Sequence, residues 1–249
     1  MDSLRSLAVR SPLFQLLPAR GKRDILKVPA RRDARSPEDI GTPVMPRIAS
    51  LFVTSLYRDE LTGTKARRLL DDLEHACRVI ADDDTAGQMW AEQNKYPGYT
   101  SYASLTDLPE RDPSFAELVG ILDAHAAAFA RAADFDLAGR KLAINSIWIN
   151  ILEPGGFHAS HIHPHSVISG TLYLAFPKGA SAIKFEDPRL PMLMCAPPRK
   201  PKARPENQTF VSAEPKSGTL LLWESWLRHE VPLNAADSER ISISFNYGL

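Results

Sequence analysis

Four of the seven histidines in this 249-residue chain lie within eight residues, in the segment GGFHASHIHPHS. They are His158, His161, His163 and His165. Side chains at positions i and i+2 of a strand project from one face, about 7 Å apart along the chain, so His161 and His163 can converge on one metal ion. His158 has the opposite parity, and Pro164 interrupts regular pairing before His165. The spacing therefore favours His161 and His163 as ligands.

A third candidate ligand is His229 in WESWLRHEV, which follows a strand-like segment that begins near Gly218. An early pair of histidines with one late histidine is typical of a facial metal site with open positions. Imidazole ligands and vacant positions suit ferrous iron and oxygen chemistry. His75 and His125 fall in predicted helices without a partner at ligand spacing, so we assign them to surface or packing roles.

Eleven residues after His229 the chain reads RISISFNYGL, starting at Arg240. In a strand the polar residues share one face: Arg240, Ser242, Ser244 and Asn246. The apolar residues share the other: Ile241, Ile243 and Phe245. A guanidinium beside a hydroxyl suits bidentate binding of a small carboxylate. An ordinary edge strand with a solvated polar face is the alternative, and the histidines favour carboxylate binding.

The combination of HIH at 161–163, His229 and Arg240-x-Ser242 resembles the iron(II)/2-oxoglutarate-dependent dioxygenase superfamily, in its prolyl-hydroxylase-like branch. HIHPHSVISGTLYL, FEDPR and RISISFN are similar to a subgroup of oxygenases with an HIHP motif. The resemblance covers roughly residues 45–249. It implies a double-stranded β-helix with Fe(II) at one mouth, 2-oxoglutarate as cosubstrate, and hydroxylation of a small-molecule or peptide substrate.

Carried over by residue, the resemblance implies that His161 and His229 are metal ligands and that Arg240, with Ser242, binds the distal carboxylate of 2-oxoglutarate. The family pattern is H-x-D/E, and His163 stands where the carboxylate is usual. The ligand set is therefore either three histidines, or two histidines with water in the third place. A neutral ligand leaves the site one charge unit more positive, which alters its redox tuning and could favour a non-hydroxylating outcome.

Other side chains could line the same cavity. Trp148 and Asn150 share parity on the strand before the histidine cluster. Tyr173 could offer its phenol to the cosubstrate, although its register also suits the core. A core position is the favoured interpretation of Tyr173 and Trp148, and Asn150 and Tyr173 are retained as candidate cosubstrate-binding residues.

The elements that must position these residues indicate a mainly β protein with supporting helices, a double-stranded β-helix (jelly roll) preceded by a helical N-terminal half. Helices are predicted at 59–80 and 113–133. Strands are predicted at 51–57, 98–105, 143–152, 157–163, 168–176, 182–186, 209–213, 218–223 and 239–247. A loop between Asp187 and Pro215 carries seven prolines and four clustered cations, Arg199, Lys200, Lys202 and Arg204. It is either a cover over the active site, favouring an anionic or peptide substrate, or a surface insertion.

Residues 1–44 contain nine Lys/Arg and five Asp/Glu and are interrupted by proline, which predicts a flexible basic arm before a domain at 45–249. A translation start at Met45 and a basic tether are both compatible with that composition. Zero net charge gives no support for nucleic acid as a partner. No apolar run is long enough to span a bilayer. Two distant cysteines, Cys77 and Cys195, favour a reducing cytoplasm.

Two rival interpretations remain open at this stage. A cupin shares the β-helix, and Gly155 stands six residues before His161 as in the cupin G-x5-H-x-H opening. The glutamate expected four or five residues after the second histidine is absent, because Val167 and Ile168 occupy those places. The other rival is a non-catalytic jelly-roll binding module. Neither explains the Arg240-x-Ser242 strand.

Overall fold

The computed structural model describes residues 47–249, and residues 50–249 form one compact unit. The predicted arm at 1–44 lies outside the described residues. The helices are α1 Thr64–Asp83, α2 Thr85–Gln93, α3 Leu108–Arg111 and α4 Pro113–Ala132. The strands are β1 Leu56–Glu60, β2 Gly98–Thr100, β3 Ala143–Leu152, β4 His158–His161, β5 Ile168–Ala175, β6 Ile183–Glu186, β7 Phe210–Ala213, β8 Thr219–Glu224, β9 His229–Val231 and β10 Arg240–Gly248. None of these helices is long and apolar enough to cross a membrane.

Two antiparallel sheets carry the fold. A six-stranded sheet has the order β1-β8-β5-β10-β3-β2, and a four-stranded sheet has the order β4-β9-β6-β7. From β3 to β10 the chain passes back and forth between the two sheets, which is the winding of a double-stranded β-helix. The predicted fold class is confirmed.

The outer face of the larger sheet carries the main hydrophobic core. Strand β10 shows why, because Ile241, Ile243 and Phe245 on its apolar face are completely buried against the helical layer. Helix α4 adds an apolar stripe to this core, and its start is fixed by the Asp112 carboxylate, which accepts a hydrogen bond from the Ser114 amide. Alternation along one strand thus separates a dry core from the opposite face.

A second, smaller apolar cluster lies between the sheets and includes Leu152, Tyr173, Phe185 and Trp223. It fills only part of the interior. The polar face of β10 points into the remaining chamber, as its predicted alternation requires. The two sheets therefore enclose a polar pocket in the β-helix.

Several predicted boundaries are wrong, mostly in the helical half. The helix predicted at 59–80 begins only at Thr64, because Asp59 and Glu60 belong to β1, where Asp59 pairs with Leu220. Strand β1 begins at Leu56 rather than at position 51, and the strand predicted at 98–105 ends at Thr100. Helices α2 and α3 and the three-residue strand β9 were not predicted. The strand at 143–152 is confirmed, and the 113–133 helix ends one residue earlier, at Ala132.

Candidate metal centre

His161, His163 and His229 meet at one end of the chamber. Their closest ligand atoms all lie within 4.8 Å of one another. His161 ends β4, His229 begins β9, and the two are direct partners across the antiparallel pair. The Nε2 atoms of His163 and His229 are 3.3 Å apart. Three imidazoles within this distance can share one cation.

His163 reaches the cluster by a route that strand parity did not predict. Strand β4 stops at His161, so His163 lies in the loop that follows and its backbone N–H donates to the Ser225 carbonyl, 3.0 Å away. The Trp148 ring stacks on the His163 ring, with centroids 5.7 Å apart. Loop hydrogen bonding and stacking, rather than a continuous strand, place His163 beside its partners.

Backbone carbonyls determine which ring nitrogens face the centre. His161 Nδ1 donates to the Ala159 carbonyl at 2.7 Å, and His229 Nδ1 donates to the Leu227 carbonyl at 2.8 Å. A carbonyl accepts only, so in each neutral ring the proton sits on Nδ1 and the lone pair on Nε2. Such outer hydrogen bonds are the usual way in which a ligating histidine is oriented. His161 and His229 therefore present their Nε2 lone pairs toward the centre.

The electrostatics of the cluster favour neutral imidazoles. Burial lowers the pKa of His229 to about 3, and the neighbouring His161 acts in the same direction. Burial also lowers the pKa of His163 to about 4, with a further decrease from His161 and an opposing hydrogen bond to Asn246. Neutral imidazole is the form that binds a metal. These side chains are ready to coordinate without first losing a proton at neutral pH.

His158 also lines the chamber, contrary to the parity argument that separated it from the cluster. The pairing of β4 with β9 is irregular between His158 and His161, so simple alternation fails there. The His158 Nε2 atom is hydrogen-bonded to the Tyr96 hydroxyl at 2.7 Å. His158 is not among the three converging ligands, so the preference for His161 over His158 agrees with the geometry.

The remaining histidines lie apart from the centre. His165 is exposed and adopts a left-handed backbone conformation, with φ of 69°. His75 is exposed on α1. His125 is half-buried on α4, where its Nδ1 is hydrogen-bonded to the Tyr57 hydroxyl at 2.9 Å. These positions agree with the surface and packing roles predicted for His75 and His125.

Arg240 lies deep in the chamber with only 2% of its surface exposed. Its Nη1 donates to the Ser242 hydroxyl at a long 3.4 Å, and its guanidinium lies over the Tyr173 ring, 4.9 Å from the centroid. Within residues 47–249 no carboxylate pairs with Arg240. A buried guanidinium normally has an anionic partner, so the site is suited to receive one.

Three buried side-chain polar atoms of the described chain lack a hydrogen-bond partner: Arg240 Nε, Tyr173 Oη and Trp223 Nε1. All three residues lie between the sheets. A native interior leaves few such atoms unpaired, and each calls for an explanation. A carboxylate bound at Arg240 would accept from both Arg240 Nε and Tyr173 Oη. Tyr173 was predicted to favour a core position, and its ring packs in the inner core, while its contact with the cosubstrate stays a prediction.

Asn150 is buried on β3 and lines the chamber. Its Oδ1 accepts from the Thr100 hydroxyl at 3.1 Å, and its Nδ2 donates to the Ser244 hydroxyl at 3.0 Å. The amide is therefore already engaged by its neighbours, and its predicted contact with the cosubstrate stays a prediction. Thr100, on the short strand β2, was not singled out from the sequence, and nothing in its local pattern would have identified it.

Comparison with known proteins is consistent with this geometry. Residues 146–246 match the model of a family described as "Putative 2OG-Fe(II) oxygenase". No curated protein sequence matches the chain. Among solved structures, a Pseudomonas putida prolyl-4-hydroxylase aligns with a TM-score of 0.55 and 15% identity, covering 79% of this chain and 94% of its own.

Two further solved structures share the fold. The 2-oxoglutarate-dependent epimerase SnoN from nogalamycin biosynthesis aligns with a TM-score of 0.53 and 14% identity, covering 78% of this chain and 76% of its own. HygX from Streptomyces hygroscopicus, solved with nickel and 2-oxoglutarate, aligns with a TM-score of 0.50 and 13% identity, covering 78% and 82%.

The double-stranded β-helix and the family match over residues 146–246 both indicate a 2OG-Fe(II) oxygenase. Its cofactors are accordingly Fe(II) and 2-oxoglutarate. The family match spans the segment that holds all three converging histidines and Arg240. This match favours an oxygenase over the cupin and the non-catalytic binding module.

Proposed function

We propose that this oxygenase is a hydroxylase that holds iron through His161, His163 and His229 and binds the distal carboxylate of 2-oxoglutarate through Arg240, Ser242 and Tyr173. The observation that carries the proposal is the pairing of two incomplete sites in one chamber. One end has three converging imidazoles, and the other has a buried cation without a counterion. A dicarboxylic keto acid that chelates a metal fits both ends.

The spacing between the two ends supports a small dicarboxylate. Trp148, which stacks on His163, is the strand partner of Ser244, so the histidines lie level with that part of β10. Arg240 is four residues earlier on β10, about 13 Å along the backbone at the usual rise of a strand. Arg240 and the three histidines line the same pocket within that span. A dicarboxylate that binds a metal at the histidines and the guanidinium of Arg240 would bridge this one pocket.

When bound, iron with 2-oxoglutarate and oxygen supplies oxidative decarboxylation to succinate and carbon dioxide, coupled to oxidation of a substrate C–H bond. The protein holds the reactants and limits water. Arg240 neutralises the distal carboxylate, the Tyr173 hydroxyl donates to it, and Ser242 positions the guanidinium. The rings of Trp148 and Trp223 pack against His163 and His229 and shield the metal side of the chamber.

We assign His163, rather than water, to the third ligand position. Its Nε2 lies 3.3 Å from that of His229, so both nitrogens can reach one cation. Asn246 bonds to His163 and is itself held, because its Nδ2 donates to the Ser146 hydroxyl at 3.0 Å. Three neutral ligands leave the bound metal with its full charge, which distinguishes this site from one completed by a carboxylate.

The test is anaerobic optical spectroscopy. Purified protein with Fe(II) and 2-oxoglutarate should show a weak visible metal-to-ligand charge-transfer band. Arg240→Ala should weaken 2-oxoglutarate binding by about 100-fold, because a charge-assisted buried contact is lost, while leaving iron binding intact. Arg228→Ala is the matched control. Arg228 is adjacent to His229 but half-exposed, at 3.8 Å from Glu186. It should leave the band unchanged.

Two outcomes of this measurement would contradict the proposed oxygenase. Iron that binds without any spectral response to 2-oxoglutarate would exclude the oxygenase and revive the cupin interpretation. A protein that binds both but never forms succinate would point to a binding module.

The free state of Cys77 and Cys195 supports the expected reducing cytoplasm, which we retain as part of the proposal.

A further inference from the structure

The proline-rich segment between β6 and β7, residues 187–209, is attached at the metal-bearing end of the chamber. In the smaller sheet Phe185 is the partner of His229, and the Glu186 N–H donates to the Arg228 carbonyl at 3.0 Å. Because β4, β9 and β6 are successive neighbours, about 4.8 Å apart, the segment leaves the sheet roughly two strand spacings from His161. The segment thus begins two residues after Phe185, the residue that is level with His229.

Hydrogen bonds close the base of this segment. The Asp187 N–H donates to the Thr209 carbonyl at 2.8 Å. Arg189 donates to both Asp187 oxygens, at 2.9 and 2.7 Å, and to the Glu206 carbonyl at 3.0 Å. The Arg189 charge beside Asp187 holds the pKa of that carboxyl below its usual range, and Arg199 contributes in the same direction. Arg199 lies in the same segment, where its Nη2 donates to the Met192 sulfur at 3.4 Å.

The charge of the segment opposes that of the rest of the domain. It contains five basic and two acidic residues, whereas the remainder of residues 45–249 contains sixteen basic and twenty-three acidic residues. Its four clustered cations are exposed: Arg199, Lys200, Lys202 and Arg204. Among the described side chains none of them forms an ion pair. A positive segment on an acidic domain attracts anions to that one place.

The mouth also carries apolar side chains that no described element covers. Ile162, between two of the histidines, is 38% exposed, and Trp226, one residue after the Ser225 carbonyl that holds His163, is 47% exposed. Tyr102 is 61% exposed and packs edge-on against Trp148, with centroids 5.1 Å apart. Exposed aromatic and aliphatic side chains around a pocket mark a binding surface for a chain with side chains of its own.

We infer that the substrate is an acidic peptide segment: its anionic side chains bind the cations of the 187–209 segment, while the residue to be hydroxylated enters the chamber past Ile162, Trp226 and Tyr102. This inference rests on the proposed function. A nucleic acid fits less well, because its continuous phosphate backbone would meet the acidic remainder of the domain. A small metabolite would use the chamber but leave the apolar rim and the cations without a role.

The experiment uses the iron-loaded full chain with 2-oxoglutarate and three pools of synthetic decapeptides. The pools are degenerate at the same positions and differ only in fixed residues, which are Asp/Glu, Lys/Arg or Asn/Gln. Succinate formation and a mass gain of one oxygen in the peptide are measured. The acidic pool should stimulate succinate formation about tenfold more than the neutral pool, and moderate salt should reduce the difference.

Two triple variants test whether the cations of the 187–209 segment cause the stimulation by the acidic pool. The triple change R199Q/K200Q/K202Q should remove most of the acidic-pool stimulation while leaving succinate formation without peptide unchanged. The control triple K65Q/R67Q/R68Q removes three exposed cations from α1, two of which pair with carboxylates. It should leave the stimulation as in the original chain.

The outcomes separate the two proposals. Equal stimulation by neutral or basic pools, loss of stimulation in the control alone, or preferential stimulation by single-stranded DNA would overturn the acidic-peptide inference. No stimulation by any pool, with the charge-transfer band and basal succinate present, would also overturn it and would favour a small-molecule substrate. Absence of the band and of all succinate would instead defeat the proposed function itself.

Discussion

The two faces of strand β10 have opposite physical characters. On the outer face Ile241, Ile243 and Phe245 are completely buried in the hydrophobic core under the helices. On the inner face Arg240 and Ser242 are almost as deeply buried, yet they line a chamber with polar atoms that lack partners. The two faces are buried to a similar extent. The outer face is packed by apolar side chains, whereas polar atoms on the inner side acquire hydrogen-bond partners only when ligands bind.

This contrast separates stability from function within nine residues of chain. Outer-face contacts stabilise the sheet and its helical cover, so their loss should affect folding. Inner-face groups lower the stability of the empty protein, since buried unpaired polar atoms are costly, and they recover that loss when metal and cosubstrate bind. Substitutions on each face test whether the separation holds.

The largest effect is expected at the metal. His229→Ala removes a buried ligand whose ring is oriented by the Leu227 carbonyl. Iron affinity should fall by more than about 100-fold, the upper range for losing a group that merely supports a ligand, and turnover should fall with it. Equilibrium dialysis with metal analysis measures this. His165→Ala, at an exposed histidine of the same cluster, should bind iron normally, and equal losses in both would contradict the assignment.

The next effect tests the outer face. Ile243→Ala should lower the free energy of unfolding by about 2–5 kcal/mol, because it leaves a cavity in a fully buried position. The KM for 2-oxoglutarate should stay within about twofold, since the side chain points away from the chamber. Denaturant unfolding and steady-state kinetics measure the two quantities. A large rise in KM with little change in stability would contradict the assignment of the outer face to stability and the inner face to function.

At Tyr173, whose hydroxyl is buried without a partner, we expect a substitution to weaken 2-oxoglutarate binding without lowering stability. Tyr173→Phe should weaken 2-oxoglutarate binding about tenfold, the usual scale for one hydrogen bond to a charged group. The same change should leave the empty protein equally stable or more stable, because an unsatisfied buried group disappears. Calorimetric titration of the Mn(II)-loaded protein and thermal unfolding without ligand give both readings. Loss of stability with unchanged affinity would assign Tyr173 to the core alone.

The smallest effect is a pH dependence of the metal-free protein. Burial lowers the pKa of His163 to about 4 and of His229 to about 3, whereas an unfolded histidine titrates near 6.5. The unfolded chain therefore takes up these protons first, and stability should fall as the pH is lowered from about 6.5 toward 4. Thermal unfolding at a series of pH values measures the slope. His229→Ala should flatten it, and an unchanged slope would show that other groups dominate.

Much of this architecture was predictable because it depends on local alternation. The strand at 143–152 and the apolar face of β10 follow from period-two patterning and are confirmed, and Arg240, Ser242 and Ser244 of the polar face line the chamber. The helical half was harder to predict. Gly63, with φ of 92°, delays the start of α1, and only pairing with Leu220 shows that Asp59 belongs to a strand. Boundaries set by partners distant in sequence leave little local signal.

The sequence by itself determined the inventory: an early His161 and His163, a late His229, and Arg240 with Ser242 on the polar face of a strand. Residue type and short-range spacing suffice for that, because they state which chemistry is available. Only the tertiary structure decided how these residues meet. The irregular pairing of β4 brought His158 into the chamber, and a loop hydrogen bond positioned His163. Packing between the sheets left Arg240 lining the chamber and the Tyr173 hydroxyl buried without a partner. Such arrangements depend on contacts between strands up to 105 residues apart, as for Gly248 and Ala143, which no local pattern encodes.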